Sequence, residues 1–113
     1  MKINQQEFEF DFNNVDDVER FEKAFAVLNS MQHRGATASE IMKSQIAGIR
    51  QFFTTVLGED AYGRLVATPS NMKANVDALY DFIDCYEAHL KDIELYNKEK
   101  TKRYSKYMAY NRR

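Results

Sequence analysis

Apolar residues recur at helical spacing over the last third of the sequence. They follow one another at intervals of three and four residues, at Val76, Leu79, Ile83, Tyr86, Leu90 and Ile93. This heptad spacing places them in one stripe along an α-helix. The stripe predicts a helix from about Asn71 to near Lys100. That helix belongs either to an intramolecular bundle or to an interface with a partner helix.

Two earlier segments show the same periodicity. Val18, Phe21, Phe25 and Leu28 predict a first helix over 15–32, with an N-cap at Asn13-Asn14 and Gly35 as the residue after its end. A capping box at Thr37 and Glu40 predicts a second helix that ends at Gly58. A short helix is expected within 59–66, and the segment 68–71, which contains the only proline, separates it from the last helix.

The N-terminal segment Phe8-Glu9-Phe10-Asp11-Phe12 alternates apolar and acidic side chains. Such alternation predicts a short strand with three phenylalanines on one face. A lone strand needs a partner, so we expect either a hairpin with Ile3 or addition to another copy's sheet edge.

These elements predict a mainly α fold: a bundle of three to four helices with a short N-terminal β-strand or hairpin and a long C-terminal helix. We expect one helical domain over 1–100 and a basic, tyrosine-rich tail over 101–113, for which flexibility is one expectation. The predicted core contains Phe21, Phe25, Leu28, Ile49, Phe53, Val76, Leu79, Ile83 and Leu90.

Composition excludes several classes of protein. The single cysteine excludes an intrachain disulfide and a cysteine-rich zinc site. No apolar run approaches the length of a membrane-spanning helix, and the start lacks the apolar segment of a signal peptide. We therefore expect no membrane association and an intracellular location.

Candidate catalytic residues are few. Asp81, Cys85 and His89 are spaced four apart, which places them on one helix face, opposite the apolar stripe and towards solvent. The other histidine, His33, belongs to a different element. Neither histidine lies in a recognisable nucleophile motif, so we expect no metal, no cofactor and no enzymatic activity.

The C-terminal tail is strongly basic. Residues 97–113 carry a net charge of +6, whereas the first 96 residues carry −7. Basic and aromatic residues alternate there, and its candidate contact residues are Lys102, Arg103, Tyr104, Lys106, Tyr107, Arg112 and Arg113. This pattern suits phosphate contact with base stacking, docking on an acidic protein surface, or no specific role beyond charge.

Three segments resemble a family of small proteins from phages and prophages of Gram-positive bacteria. Residues 8–24 are similar to that family's acidic-aromatic opening, followed by D-x-x-E-[RK]-[FY]-E-K-A. Residues 52–60, FFTTVLGED, resemble its F-F-[DE]-x-[VL]-[FL]-G-[ED] segment. The end resembles its tyrosine-and-base tail with paired arginines, except at Met108-Ala109-Tyr110, where the family is more polar.

The resemblance implies a tail assembly chaperone, which coats the tape measure protein while tail tube subunits polymerise around it. It also implies a location in the cytoplasm of a bacterial host. We therefore expect a non-enzymatic protein that binds the tape measure or tail tube protein, with homo-oligomerisation as a further expectation. The alternatives are a nucleic-acid-binding regulator that acts through the tail, and a structural tail completion or connector component. The expected partner-binding residues are Phe8, Phe10, Phe12, Tyr86, Leu90 and Ile93.

Overall fold

The fold is mainly helical, with a short N-terminal hairpin and a long C-terminal helix, which confirms the predicted fold class. A computed structural model of the chain describes the backbone of residues 1–111 and the side chains of residues 1–102. The elements in chain order are β1 (Lys2–Ile3), β2 (Gln6–Glu7), α1 (Val15–Ser30), α2 (Ala38–Leu57), α3 (Ala61–Leu65) and α4 (Met72–Asn111).

The chain divides into two compact units, Met1–Ile83 and Asp84–Arg113. The first unit contains the hairpin, α1, α2, α3 and residues 72–83 of α4. The second contains the rest of α4. None of the helices in residues 1–111 has an apolar stretch long enough to cross a bilayer. The predicted division at residue 100 stays a prediction.

The hairpin is antiparallel, with Lys2 opposite Glu7 and Ile3 opposite Gln6. Both residues of its turn, Asn4 and Gln5, have positive φ, as in the tight turns that match strand twist. The second strand of the hairpin ends at Glu7.

The strand predicted over residues 8–12 is wrong. This segment is not part of the sheet, although Met1 bonds to its start: the amide of Phe8 donates to the Met1 carbonyl at 2.8 Å, and the Met1 ammonium donates to the carbonyls of Phe8 and Phe10 at 3.0 and 3.2 Å. Beyond Phe8 the backbone turns, since the amide of Phe10 donates to the carbonyl of Phe8 at 2.9 Å and that of Asn14 to the carbonyl of Asp11 at 3.0 Å. The phenylalanine side chains still point inward although the segment is not a strand, since Phe8 and Phe10 are buried and Phe12 is half-buried.

Local capping sets the helix starts, largely as predicted. The Asn14 side chain accepts hydrogen bonds from the amides of Asp16 and Asp17, which begins α1. The Thr37 hydroxyl accepts from the amide of Glu40 at 3.2 Å, which begins α2.

The helix ends agree less well with the predictions. The second helix ends at Gly58, whose φ of +101° favours glycine, as predicted. The first helix stops at Ser30, so the prediction that Gly35 follows its end is wrong. The last helix continues past its predicted end near Lys100 to Asn111, since no Gly or Pro interrupts residues 101–111.

The core of the first unit is a cluster of phenylalanine rings around Phe82. This side chain has 0% exposure, and its ring centroid lies 5.2 Å from that of Phe21 and 5.6 Å from that of Phe52. Phe10 and Phe53 complete the shell at 5.8 and 6.3 Å. Such offset and edge-to-face pairs add to the stabilisation that burial of the rings provides.

The buried face of α4 differs from the predicted stripe by about one residue. Asn75, Ala78 and Phe82 are buried, whereas Val76, Leu79 and Ile83 are only half-buried. Burial of the large Phe82 ring removes more apolar surface from water, so it sets the orientation of the helix.

Three predicted core residues, Phe21, Ile49 and Phe53, are buried. Phe25 and Leu28 are half-buried. The prediction for Leu90 is wrong, since its side chain is 39% exposed. Buried residues that the prediction lacks include Ile3, Phe8, Phe10, Phe52, Val56, Val66 and Phe82.

Replacement of Phe82 by alanine should lower the free energy of unfolding by about 3–5 kcal/mol, because it removes a buried ring and leaves a cavity. The control Tyr80→Ala, at an exposed position on the same helix, should change it by less than about 0.5 kcal/mol. Urea denaturation followed by circular dichroism measures both. A loss below about 1 kcal/mol for Phe82→Ala would contradict the central role of this ring.

Candidate functional site

An open groove with a mostly apolar lining runs between α1 and α2, with a volume of about 290 Å³. The two helices are antiparallel neighbours, since Arg20 near the start of α1 reaches Val56 near the end of α2. Successive turns of each helix supply the apolar part of the groove. Its apolar residues are Ala24, Val27, Leu28 and Met31 from α1 and its end, and Gly48 and Phe52 from α2.

Gly48 allows the end of α1 to approach α2 closely. A Cβ at this position would lie 2.9 Å from the Met31 sulfur and 3.3 Å from a Leu28 methyl carbon. Any larger residue would push these side chains towards the groove or away from α2. A glycine inside an amphipathic helix is the sequence signal for such close approach, and it is the one clue to the groove.

One end of the groove carries basic side chains. The Arg20 guanidinium donates to the Val56 carbonyl at 3.0 and 3.3 Å and to the Asp17 carboxylate at 3.1 Å, which holds it in place. Lys23, also in the lining, is exposed. The groove therefore combines an apolar lining with positive charge at one end.

A second pocket, of about 370 Å³, lies beside α2, where Met42, Ile46 and Tyr62 meet Pro69. The Arg50 guanidinium lies 5.6 Å from the centre of the Tyr62 ring. One of its lining residues, Tyr62, takes part in a structural hydrogen-bond network.

That network centres on the fully buried Asn75. The Tyr62 hydroxyl donates to Asn75 Oδ1 at 2.6 Å, while Asn75 Nδ2 donates to the carbonyls of Pro69 at 3.0 Å and Asn71 at 2.8 Å. Burial raises the pKa of Tyr62. This effect is larger than the opposite effects of the hydrogen bond to Asn75 and of the positive charge of Arg50, both of which lower the pKa. The network joins α3 to the start of α4.

The hairpin is attached to α3 through Arg64. Its guanidinium lies 4.3 Å from the centre of the Phe8 ring and donates to Gln6 Oε1 at 3.1 Å and to the Glu7 carbonyl at 2.9 Å. Gln6 Nε2 donates in return to the Arg64 carbonyl at 2.8 Å. These contacts fix the hairpin, and with it Phe8, in the first unit.

None of the predicted partner-binding residues is among those that line the groove. Phe8 and Phe10 are buried, and Phe10 packs on Phe82, so the described structure does not present them at the surface. Phe12 is half-buried. In the second unit Leu90 is exposed, while Tyr86 and Ile93 are half-buried.

Of the predicted tail contacts, Lys102 is exposed on α4. The others lie outside the residues whose side chains the structure describes: Arg103, Tyr104, Lys106, Tyr107, Arg112 and Arg113.

The prediction that Asp81, Cys85 and His89 face solvent is wrong, since all three are half-buried. The buried face of α4 centres on Phe82. Cys85 and His89 lie three and seven residues after Phe82 in the sequence, which places them on the same side of the helix. Asp81 accepts a hydrogen bond from the Asn4 side chain at 3.0 Å. No group of three or more potential metal ligands lies together within the part of the chain that the structure describes.

The second histidine, His33, has a local structural contact. Its Nδ1 lies 3.0 Å from the Ser44 hydroxyl, which joins the loop after α1 to α2. This contact lies beside the groove, since the His33 ring is 3.6 Å from where a Cβ on Gly48 would be.

Comparison with known proteins gives one match. Residues 4–113 match a family described as a family of unknown function, DUF6673. No curated protein and no solved structure matches the chain.

Tyr62→Phe should destabilise the protein by about 1–3 kcal/mol at pH 8, because it leaves the buried Asn75 carbonyl oxygen without its donor. The raised pKa also predicts a pH effect. Below pH 10 the Tyr62 phenol is neutral in both the folded and the unfolded state, and its full contribution to the free energy of unfolding is present. Above pH 10 the phenol ionises first in the unfolded state, so the free energy of unfolding falls as pH rises through the pKa of the folded state.

Urea denaturation between pH 8 and 11 measures both effects, with Tyr80→Phe as the exposed control. The wild type should lose stability at high pH relative to Tyr62→Phe. Parallel curves for the two proteins would contradict a buried, neutral Tyr62.

Proposed function

The chain belongs to the DUF6673 family, whose function is unknown, and we propose that it is a non-enzymatic phage or prophage protein that acts as a tail assembly chaperone. In this proposal it binds an apolar helical segment of the tape measure protein during tail morphogenesis. The observation that carries the proposal is the groove between α1 and α2. The resemblance of residues 8–24 and 52–60 to phage proteins supports the choice of partner.

The shape of the groove favours a helix as its occupant. Side chains from successive turns of two antiparallel helices line it, so it is elongated along the helix axes. An amphipathic helix inserts residues spaced three and four apart into such a groove. Val27, 49% exposed at the edge, offers apolar surface that a bound helix would cover.

The basic side chains at one end of the groove determine which helices it would prefer to bind. Arg20 and Lys23 lie at one end of the lining, where an acidic residue of the occupant would find a favourable partner. Arg20 is already paired with Asp17 and bonded to Val56, so it loses little side-chain entropy on binding, and the exposed Lys23 supplies the net positive charge. The preferred occupant is an apolar helix with an acidic residue near one end of its apolar stripe.

The groove differs from the binding surface that the sequence predicts. Phe8 and Phe10 are buried in the core of the first unit, whereas the apolar lining between α1 and α2 is accessible. Two methionines line pockets of the first unit: Met31 lines the groove, and Met42 lines the second pocket. Methionine side chains adapt to varied apolar partners, which suits a chaperone.

The test is co-expression with the tape measure protein of the phage or prophage that encodes this chain, followed by affinity capture at two salt concentrations. Val27→Asp should weaken capture by about tenfold, because it places a charge at the apolar edge. Val15→Asp is the matched control, since Val15 lies on the same helix, is 67% exposed and is not part of the groove.

Equal capture by the two variants would contradict the groove as the binding site. Absence of any complex with the tape measure protein would contradict the chaperone role itself. Nucleic acid that accompanies the protein at low salt only would instead favour the regulator hypothesis, in which the basic tail contacts phosphates.

A further inference from the structure

The second pocket lies on the opposite face of α2 from the groove. Its α2 residues repeat at helical intervals over about three turns, which places them on one face of the helix: Ser39, Met42, Lys43, Ile46, Ala47 and Arg50. The α2 residues that line the groove are Gly48, Gln51, Phe52 and Thr55. The two sites therefore share no residue of this helix.

The second pocket is an open cleft rather than an enclosed cavity. Seven of its nine described lining residues are exposed, Ile46 is half-buried and only Tyr62 is buried. A small-molecule site usually buries most of the surface of its ligand. The exposure of this lining therefore favours a larger partner, which covers the side chains from outside.

The apolar part of the pocket is available for contact. Met42 is 41% exposed, and it shares the lining with Ile46, Ala47 and Pro69. The Tyr62 hydroxyl already donates to Asn75, so this side chain offers a partner mainly the apolar surface of its ring.

Two cations accompany this apolar surface. Lys43 and Arg50 are exposed, and neither forms an ion pair with a described residue. The described lining contains no acidic side chain, so the two positive charges are not compensated within the pocket. A complementary partner is therefore apolar and acidic.

We propose that the second pocket docks an acidic amphipathic helix of a partner protein, which lies along α2. Lys43 and Arg50 are seven residues apart, which is about 10 Å along the helix axis. A helix beside α2 presents two acidic side chains at the same separation when they are also seven positions apart. The residues three and four positions after the first acidic residue then lie opposite Ile46 and Ala47.

This pattern, acid-x-x-apolar-apolar-x-x-acid, reads the same in both chain directions, so it serves a parallel or an antiparallel helix. An extended segment suits the pocket less well. None of the described lining residues belongs to a strand, so such a segment would find no sheet edge with which to pair.

This inference goes beyond the proposed function and does not depend on it. The groove and the second pocket share no lining residue, so failure of one leaves the other standing.

A methyl NMR titration of the full chain with designed peptides tests the docking. The acidic peptide is an alanine-rich helix with two glutamates seven positions apart and leucines three and four positions after the first glutamate. The control peptide has lysines in place of the glutamates. The acidic peptide should shift the methyl signals of Met42, Ile46 and Ala47 and should bind about tenfold more tightly than the control, with an affinity that falls as salt rises.

A charge exchange tests the two cations. K43E/R50E should weaken binding of the acidic peptide by about tenfold and should bind the lysine peptide more tightly than the wild type does. The matched control K23E/R34E makes the same change in net charge outside the pocket and should alter the affinity for the acidic peptide by less than about twofold. All four positions are exposed, so both variants should keep their helical circular dichroism signal.

Four results would overturn the proposal. Shifts at Val27 and Leu28 instead of Met42 and Ile46 would place the acidic peptide in the groove. Equal affinity of the wild type for the two peptides, or an equal loss in the two variants, would show that Lys43 and Arg50 do not select the partner. A response of Met42 and Ile46 to octanoate, but not to the acidic peptide at about 1 mM, would make the pocket a small-molecule site.

Discussion

Insertion of the Phe82 ring among four other phenylalanines is the interaction on which the first unit depends. The rings come from the segment after the hairpin, from α1 and from α2, so one side chain of α4 joins every major part of the unit. The chain has no intrachain disulfide to share this task, since it has a single cysteine. Burial of apolar surface, which includes this cluster of rings, is therefore the main source of its tertiary stability.

The groove is a consequence of this packing. Phe52 contacts both Phe21 and Phe82, which fixes the separation of α1 and α2 on the core side. Gly48 sets their close approach near the end of α1. Because the walls are held by core contacts rather than by the occupant, the groove is open before a partner arrives. A preformed groove lowers the entropic cost of binding.

The helix starts and the end of α2 depend on neighbouring residues and were predictable from the sequence, whereas the end of α1 and the features that depend on distant residues were not. The caps at Asn14 and Thr37 and the stop at Gly58 are local, so residue type and spacing identify them. The burial of Phe82 was not predicted because Val76, Leu79 and Ile83 have an equally regular helical spacing. Only contacts with the rings of other elements favour the neighbouring helix face, on which Phe82 lies. The groove arises from the pairing of two helices, for which Gly48 is the sole local signal.

The most direct test of the binding surface is a methyl NMR titration of the protein with a synthetic peptide from an apolar helix of the partner proposed above, a tape measure protein. The methyl groups of Val27, Leu28 and Met31 report on the groove, and those of Leu90 and Leu95 report on the second unit. We expect shifts confined to the first set. Shifts confined to the second set, or none at saturating peptide, would contradict the account.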